Sequence, residues 1–281
     1  MLVLAPPGDR LAGTTRNELA RCGMPVLWLD PSDFPGGWDV GWSVSAADGF
    51  LAAPGMRVSL TELRSVLARP GSPSRLDAVA EEDREYVSAE VTATMLGLLA
   101  GLECPVVNRP RPGGVGRVVV RAGGRLAACG LALAPTLVTW VPDAATEFYR
   151  SVCNQRALAS RPTGRTKPEL IEGRQRDDWL AHAAGEPLVL QALPAGERAN
   201  VIVIGGRAIC LDSDRLGAAE RAACVRAAAA LGLELAQFDL VLGSAGAVCL
   251  EVSELPDLPA NGQHEVVEAV CDLLADGAVM A

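Results

Sequence analysis

The strongest constraint in this sequence is a pair of β-hairpin signals in its last third. Residues 201–204 and 208–211 are apolar runs joined by Gly205-Gly206, and residues 238–242 and 248–252 are joined by a segment bounded by Gly243 and Gly246. Glycine supplies the positive φ that tight hairpin connections need, so each pair predicts two antiparallel strands. Between them, residues 215–231 form an Ala-rich helix that stops at Gly232. A second half made of antiparallel pairs and helices is α+β.

The first half has a different rhythm. Residues 2–5 are a short apolar strand, 6–13 a turn, 15–22 a helix and 25–29 a second strand. Strand signals follow at 42–45 and 56–58, and residues 60–67 have helical spacing. This alternation predicts an α/β N-terminal domain with a small, mainly parallel sheet and crossover helices. Its first loop, Pro-Pro-Gly-Asp-Arg-Leu-Ala-Gly, spaces the glycines too widely for a dinucleotide fingerprint. Residues 81–102 are a helix with Val87, Val91, Met95, Leu98 and Leu99 on one stripe. A short strand at 104–110 then enters a Pro/Gly-rich linker, residues 109–116, which marks the main boundary. Beyond it come a helix at 118–129 stopped by Gly130, a strand at 134–139, a capped helix at 143–152, and strands at 157–160 and 188–190. The expected domains are 1–112, then two antiparallel subdomains, 113–195 and 196–281.

Composition narrows the partners. The net charge of −9 argues against non-specific nucleic-acid or anionic-membrane binding. No apolar run approaches the roughly 18 residues that span a bilayer, and no secretory signal opens the chain, so a cytoplasmic location is expected. Eight scattered cysteines without a C-x-x-C pair, and only two histidines, do not describe a zinc or disulfide framework. Lys167 is the single lysine, so any phosphate-binding cation is Lys167 or an arginine.

Three stretches carry candidate chemistry. Asp239 and Glu251 lie on the two strands of the last hairpin, among apolar neighbours. Such acids are costly unless paired, and a hard cation pairs with both at once; the other reading is a solvent-facing hairpin with both acids outward. Residues 190–197, Leu-Gln-Ala-Leu-Pro-Ala-Gly-Glu, are a strand entering a turn, whose backbone reads an adenine edge or serves as a plain linker. Residues 156–176 hold Arg156, Arg161, Arg165, Lys167, Arg174 and Arg176. That positive cluster is either a triphosphate cover or a solvated loop balanced by Glu169, Glu172, Asp177 and Asp178.

Taken in order, these pieces resemble the ATP-grasp superfamily, in particular the microviridin or graspetide type of ligase that macrocyclises ribosomal peptides. The likeness spans roughly residues 81–260. Glu90, then Leu96-Gly97-Leu98-Leu99, then Pro105-Val106-Val107-Asn108-Arg109-Pro110 resemble the helix and strand closing that group's N-terminal domain. Gly130-Leu131-Ala132-Leu133-Ala134-Pro135-Thr136-Leu137-Val138-Thr139 resembles a segment at the start of its ATP-binding module. Gly232-Leu233, Phe238-Asp239-Leu240 and Leu250-Glu251-Val252 resemble the ending that carries its metal carboxylates.

The resemblance implies an ATP-grasp-like α+β module of two antiparallel subdomains clamping ATP and Mg²⁺. It implies a ligase that activates a carboxylate as an acylphosphate, acting on a peptide or small carboxylate substrate, and it allows a homodimer. By position, Asp239, Glu251 and Ser253 would hold metal, and Gln191, Ala192 and Leu193 would frame the adenine. Glu197 would meet the ribose, Arg121 and Arg161 the phosphates, and Arg161, Lys167 and Arg198 would act in catalysis. Several positions depart from the pattern: Ser253 stands for an asparagine, Arg161 and Arg121 for lysines, and Asn200 for an arginine that Arg198 flanks. Arginine does not simply replace lysine. The alternative is therefore a degenerate relative that binds a peptide or protein partner without turnover.

Overall fold

The computed structural model describes residues 1–43, 48–69, 76, 79–110, 118–163, 168–173, 178–179, 185–211, 215–244, 246–258 and 263–279. The chain divides into two compact units, Met1–Pro112 with Asp257–Ala281, and Gly113–Pro256.

In the first unit, β1 (Leu2–Leu4) leads through α1 (Arg10–Arg21) to β2 (Leu27–Leu29). Strands β3 (Asp39–Trp42), β4 (Gly49–Ala53) and β5 (Met56–Ser59) form an antiparallel meander. β6 (Val66–Ala68), α2 (Arg84–Gly101) and β7 (Val106–Val107) complete a four-stranded sheet of order β2-β1-β6-β7, parallel throughout. All residues of β1 and β6 are buried, as a parallel sheet covered on both faces requires.

Two local expectations are corrected here. Helix α1 starts inside the segment read as a turn, because the Asp9 side chain accepts the Ala12 N–H at 2.9 Å and caps it. Residues 60–67 are a single 3-10 turn, Leu60–Glu62, followed by β6. A fully buried strand shows no polar alternation, so its apolar residues imitate helical spacing.

In the second unit, α3 (Val118–Ala128) is kinked at Ala122 and ends before Gly130, whose φ is +86°. β8 (Ala132–Leu133), β9 (Thr136–Thr139), α4 (Pro142–Ser151), β10 (Ala157–Ser160), β11 (Glu169–Ile171) and β12 (Leu188–Ala192) follow. Then come β13 (Glu197–Ile204), β14 (Arg207–Cys210), α5 (Ala218–Leu231), β15 (Leu235–Gly243) and β16 (Gly246–Ser253). No side chain caps α4; its first turn carries Pro142 and Asp143 instead. The strands build two sheets, β11-β10-β12-β9 and β14-β13-β15-β16-β8, antiparallel except where β16 meets β8.

Each sheet has one face on helices. Phe238, Leu240, Val201 and Val203 pack with Leu126 of α3 and Cys224 and Ala227 of α5, while Leu188, Leu190 and Ile171 pack with Tyr149 of α4. The other faces meet at Leu158, Val241 and Leu250. The chain ends in α6 (Gln263–Val279), which packs on α1 within the first unit. Sequence order alone grouped it with the preceding hairpin. Among the described residues no helix is long and apolar enough to cross a membrane.

Candidate functional site

Alternation along β13, β15 and β16 sorts their side chains. Ala199, Val201, Phe238, Leu240 and Val252 point into the helix-covered core, which leaves Asn200, Gln237, Asp239, Glu251 and Ser253 on the face shared with the second sheet. In register, Asp239 lies opposite Asn200 on one side and Glu251 on the other. The structure thus brings the two sequence-predicted acids together as direct cross-strand partners, on the sheet face opposite the helix-covered core.

A bulge shapes this pairing. Asp239 opposes Glu251, but Leu240 opposes Cys249, so Leu250 is skipped. An inserted residue of this kind re-aims its neighbours. Here it turns Leu250 to the apolar contact between the sheets and keeps Glu251 level with Asp239.

The polar environment is specific. Gln237 Nε2 donates to Asp239 Oδ1 at 2.8 Å and reaches Asn200 Oδ1 at 3.5 Å. Glu251 Oε1 accepts the N–H of Val252 at 3.0 Å and that of Val119, in the first turn of α3, at 3.5 Å. Arg121, one turn along α3, donates through Nη2 to Glu254 Oε1. Burial lowers the Arg121 pKa, Arg125 lowers it further, and Glu251 opposes them, so the Glu251 charge acts on this guanidinium. Burial above all, then Cys224, Glu251 and Asp239, pushes the Cys249 thiol upward.

From the second sheet Gln191 reaches the bulge. Its Nε2 donates to the Leu250 carbonyl at 2.9 Å and to Thr136 Oγ1 at 3.3 Å. Ala192 spends its N–H on the Pro135 carbonyl at 2.9 Å, and Leu193 packs beside the Val241–Leu250 cluster. Ser253 Oγ accepts the Leu255 N–H at 3.2 Å.

Glu197 and Arg161 pair elsewhere, while Arg198 shares the Asn200 face of β13. Glu197 lies on the Ala199 side of β13 by alternation and pairs with Arg215 at 3.2 Å. Arg198 is exposed, opposite Val241. Arg161, just past β10, pairs with Glu186 at 3.2 Å and lies 5.5 Å from the Trp179 ring centroid. Lys167 lies outside the described residues.

Among the described residues of this unit three buried polar atoms have no hydrogen-bond partner: Arg121 Nε, Arg161 Nη1 and Gln191 Oε1. Buried polar atoms are ordinarily satisfied, so each of these open atoms is suited to a polar ligand. Among the described residues no group of three His, Cys, Asp or Glu side chains could hold a metal. Two facing carboxylates fit the demand of Mg²⁺, which keeps waters and uses one or two carboxylates with substrate phosphate; they do not form an all-protein cage.

The sequence reading missed three participants. Gln237 alternates with Asp239 and was visible as a polar residue in an apolar strand. The Val119 N–H and the Glu254–Arg121 pair depend on where α3 sits, which no local pattern encodes.

No protein-family model and no curated protein matches this chain. Its fold matches solved structures. The macrocyclase MdnC of Microcystis aeruginosa MRC, bound with precursor peptide MdnA, gives a TM-score of 0.81 at 15% identity, covering 98% of this chain and 99% of that one. The ATP-grasp ligase PsnB, complexed with a minimal precursor, Mg and ADP, gives 0.77 at 19% identity, covering 99% and 96%. A RiPP-associated ATP-grasp ligase of Chryseobacterium gregarium, in complex with ADP and a leader and core peptide, gives 0.77 at 13% identity, covering 98% and 96%. At these identities the likeness establishes the fold, and that fold is the ATP-grasp fold.

Proposed function

Starting from an ATP-grasp fold, we propose that this chain binds ATP with Mg²⁺ between the two sheets of its second unit and ligates a peptide carboxylate to a nucleophile. The carboxylate attacks the γ-phosphorus, the bond to the β–γ bridging oxygen breaks, and ADP leaves. The acylphosphate is then captured by an amine, hydroxyl or thiol, releasing phosphate. The observation that carries this reading is the register pair Asp239–Glu251 on the sheet face opposite the helix-covered core. Like charges directly opposite are unfavourable in a sheet unless a counter-charge joins them.

Bound magnesium would supply charge neutralisation at the transferring phosphoryl group. The remaining roles belong to the chain. Asp239 and Glu251 would hold the ion, with Gln237 fixing the Asp239 carboxylate. Arg121 and Arg161 offer the open donors Nε and Nη1 to phosphate oxygens, which charge-assisted hydrogen bonds favour. Segment 191–193 borders the base. The peptides bound by MdnC, PsnB and the Chryseobacterium enzyme support a peptide as the carboxylate donor.

A specific observation favours a second reading. The Arg121 guanidinium is already engaged by Glu254, and Glu251 by two main-chain donors. A carboxylate and a guanidinium engaged by the chain's own groups suit a relative that binds a peptide without turnover. Calorimetric titration with ATP in the presence and absence of Mg²⁺ separates the two. Magnesium-dependent binding, followed by ADP release when peptides bearing Asp or Glu with Thr, Ser or Lys are added, supports the ligase. No binding at millimolar ATP leaves the second reading.

A further inference from the structure

Gln191 is a polar side chain only 3% exposed, set in the otherwise apolar strand Leu-Val-Leu-Gln-Ala. Its neighbours fix which end of the amide is which. Thr136 Oγ1 uses its own hydrogen on the Ala134 carbonyl, at 2.9 Å, so towards Gln191 it accepts. The Leu250 carbonyl can only accept. Nε2 must face both, and it does, at 3.3 and 2.9 Å. The Ala134 N–H closes the ring of contacts by donating to the Cys249 carbonyl at 3.3 Å.

What this amide grips is the bulge. Leu250 is the residue skipped between the Leu240–Cys249 and Asp239–Glu251 pairs. A bulged residue falls outside the regular ladder, so its carbonyl needs a partner from elsewhere. That carbonyl belongs to the peptide plane joining Leu250 to Glu251. Its direction sets the Glu251 N–H and Cα, and with them the side-chain direction.

We propose that Gln191 is a positioning residue for Glu251: by holding the Leu250 carbonyl across the two sheets, it keeps the Leu250–Glu251 peptide in the orientation that places the Glu251 carboxylate opposite Asp239. Its importance for magnesium rests on the nucleotide reading above; its hold on the peptide does not. The strand that borders the base is thereby tied to the carboxylate that meets the ion.

The test compares the wild-type protein with Gln191→Met, Glu251→Gln, the double variant and Thr136→Val. Methionine keeps length and bulk while removing the donor. Crystal structures are expected to show the Leu250–Glu251 peptide rotated in Gln191→Met and Glu251 displaced from Asp239. The Mg²⁺ concentration at half-saturation of ATP binding is expected to rise about tenfold in Gln191→Met and two- to threefold in Thr136→Val, in keeping with the loss of a buried hydrogen bond and of its support. The double variant should match Glu251→Gln alone, because a residue acting through another adds nothing once that other is removed. A role in stability only would lower Tm and leave the Mg²⁺ midpoint where it was, and that result overturns the proposal. So does an unrotated peptide in Gln191→Met. If the wild-type protein binds no ATP with Mg²⁺, the nucleotide reading fails by itself, and the peptide geometry in Gln191→Met still decides the role of Gln191.

Discussion

Glu251 lies directly opposite Asp239 across β15 and β16, and both share a sheet face with Asn200 and Gln237. The other side of the same strands holds Phe238, Leu240 and Val252 in the core. Two acids therefore sit on the half of the sheet that closes against the second sheet, with intermediate exposure, where a cation could join them.

Replacing Glu251 by glutamine removes the charge but keeps an oxygen for the Val252 and Val119 N–H groups. The fold should survive, with a stability change under about 1 kcal/mol. Affinity for ATP with Mg²⁺ should fall about tenfold or more, while affinity for ATP without the ion changes little. Asp239→Asn should behave in the same way. Equal losses with and without Mg²⁺ would show that these acids do not meet a metal.

How much of this could be read without coordinates depends on whether the signal is local. The hairpin at Gly205-Gly206 and the helix stop at Gly232 were legible because positive φ at those glycines is a property of the turn itself. The Asp239–Glu251 pairing was legible because two acids in apolar strands stand out. The Leu250 bulge was not, since nothing in Cys-Leu-Glu marks which residue the opposing strand will skip. The arrival of Gln191 and of the α3 N-terminus at Glu251 was equally hidden: each joins segments more than 50 residues apart, and pattern reading stops at the element. β6 was misread for the opposite reason, an apolar run too short to separate helix from buried strand.

Arg161 should prove more important for ligand binding than for folding. Its partner Glu186 is largely exposed, so their ion pair contributes under about 1 kcal/mol. Its Nη1 is buried and has no hydrogen-bond partner among the described residues. Arg161→Ala is therefore expected to leave the urea midpoint nearly unchanged and to weaken ATP binding about tenfold or more. Arg161→Lys should recover only part of that loss, because a point charge does not reproduce the guanidinium fork. A large stability loss with unaltered affinity would place Arg161 in the scaffold.

Asp9 does two things in the first unit. It caps α1 and pairs with the buried guanidinium of Arg69 at 2.5 Å. Asp9→Ala removes both and should cost about 3 kcal/mol or more, since taking the partner from a buried charge dominates. Asn is as good a cap, so Asp9→Asn should lose only the charge and cost less. A negligible cost for Asp9→Asn in urea denaturation would mean that the cap, not the ion pair, carries the effect.

The buried thiols set how the fold responds to alkali. Burial raises Cys153 to about 11, and burial with neighbouring Cys210 and Glu220 raises Cys224 to about 12. Cys271 is also raised to about 12, chiefly by burial and then by Glu18. In the unfolded chain these thiols would lose their protons near the ordinary 9.0. Between those limits the unfolded state binds fewer protons than the folded state, so stability falls as pH rises. The contribution is complete below about pH 9 and disappears as pH climbs through the folded values. Urea midpoints measured from about pH 8 to 10.5 should therefore decline, and Cys224→Ala should make the decline shallower. At about pH 8 exposed Cys22 should react with a thiol reagent well before Cys153, Cys224 or Cys249. A flat midpoint across that range, or fast labelling of Cys224 in the native protein, would contradict the packing of α5 against the five-stranded sheet.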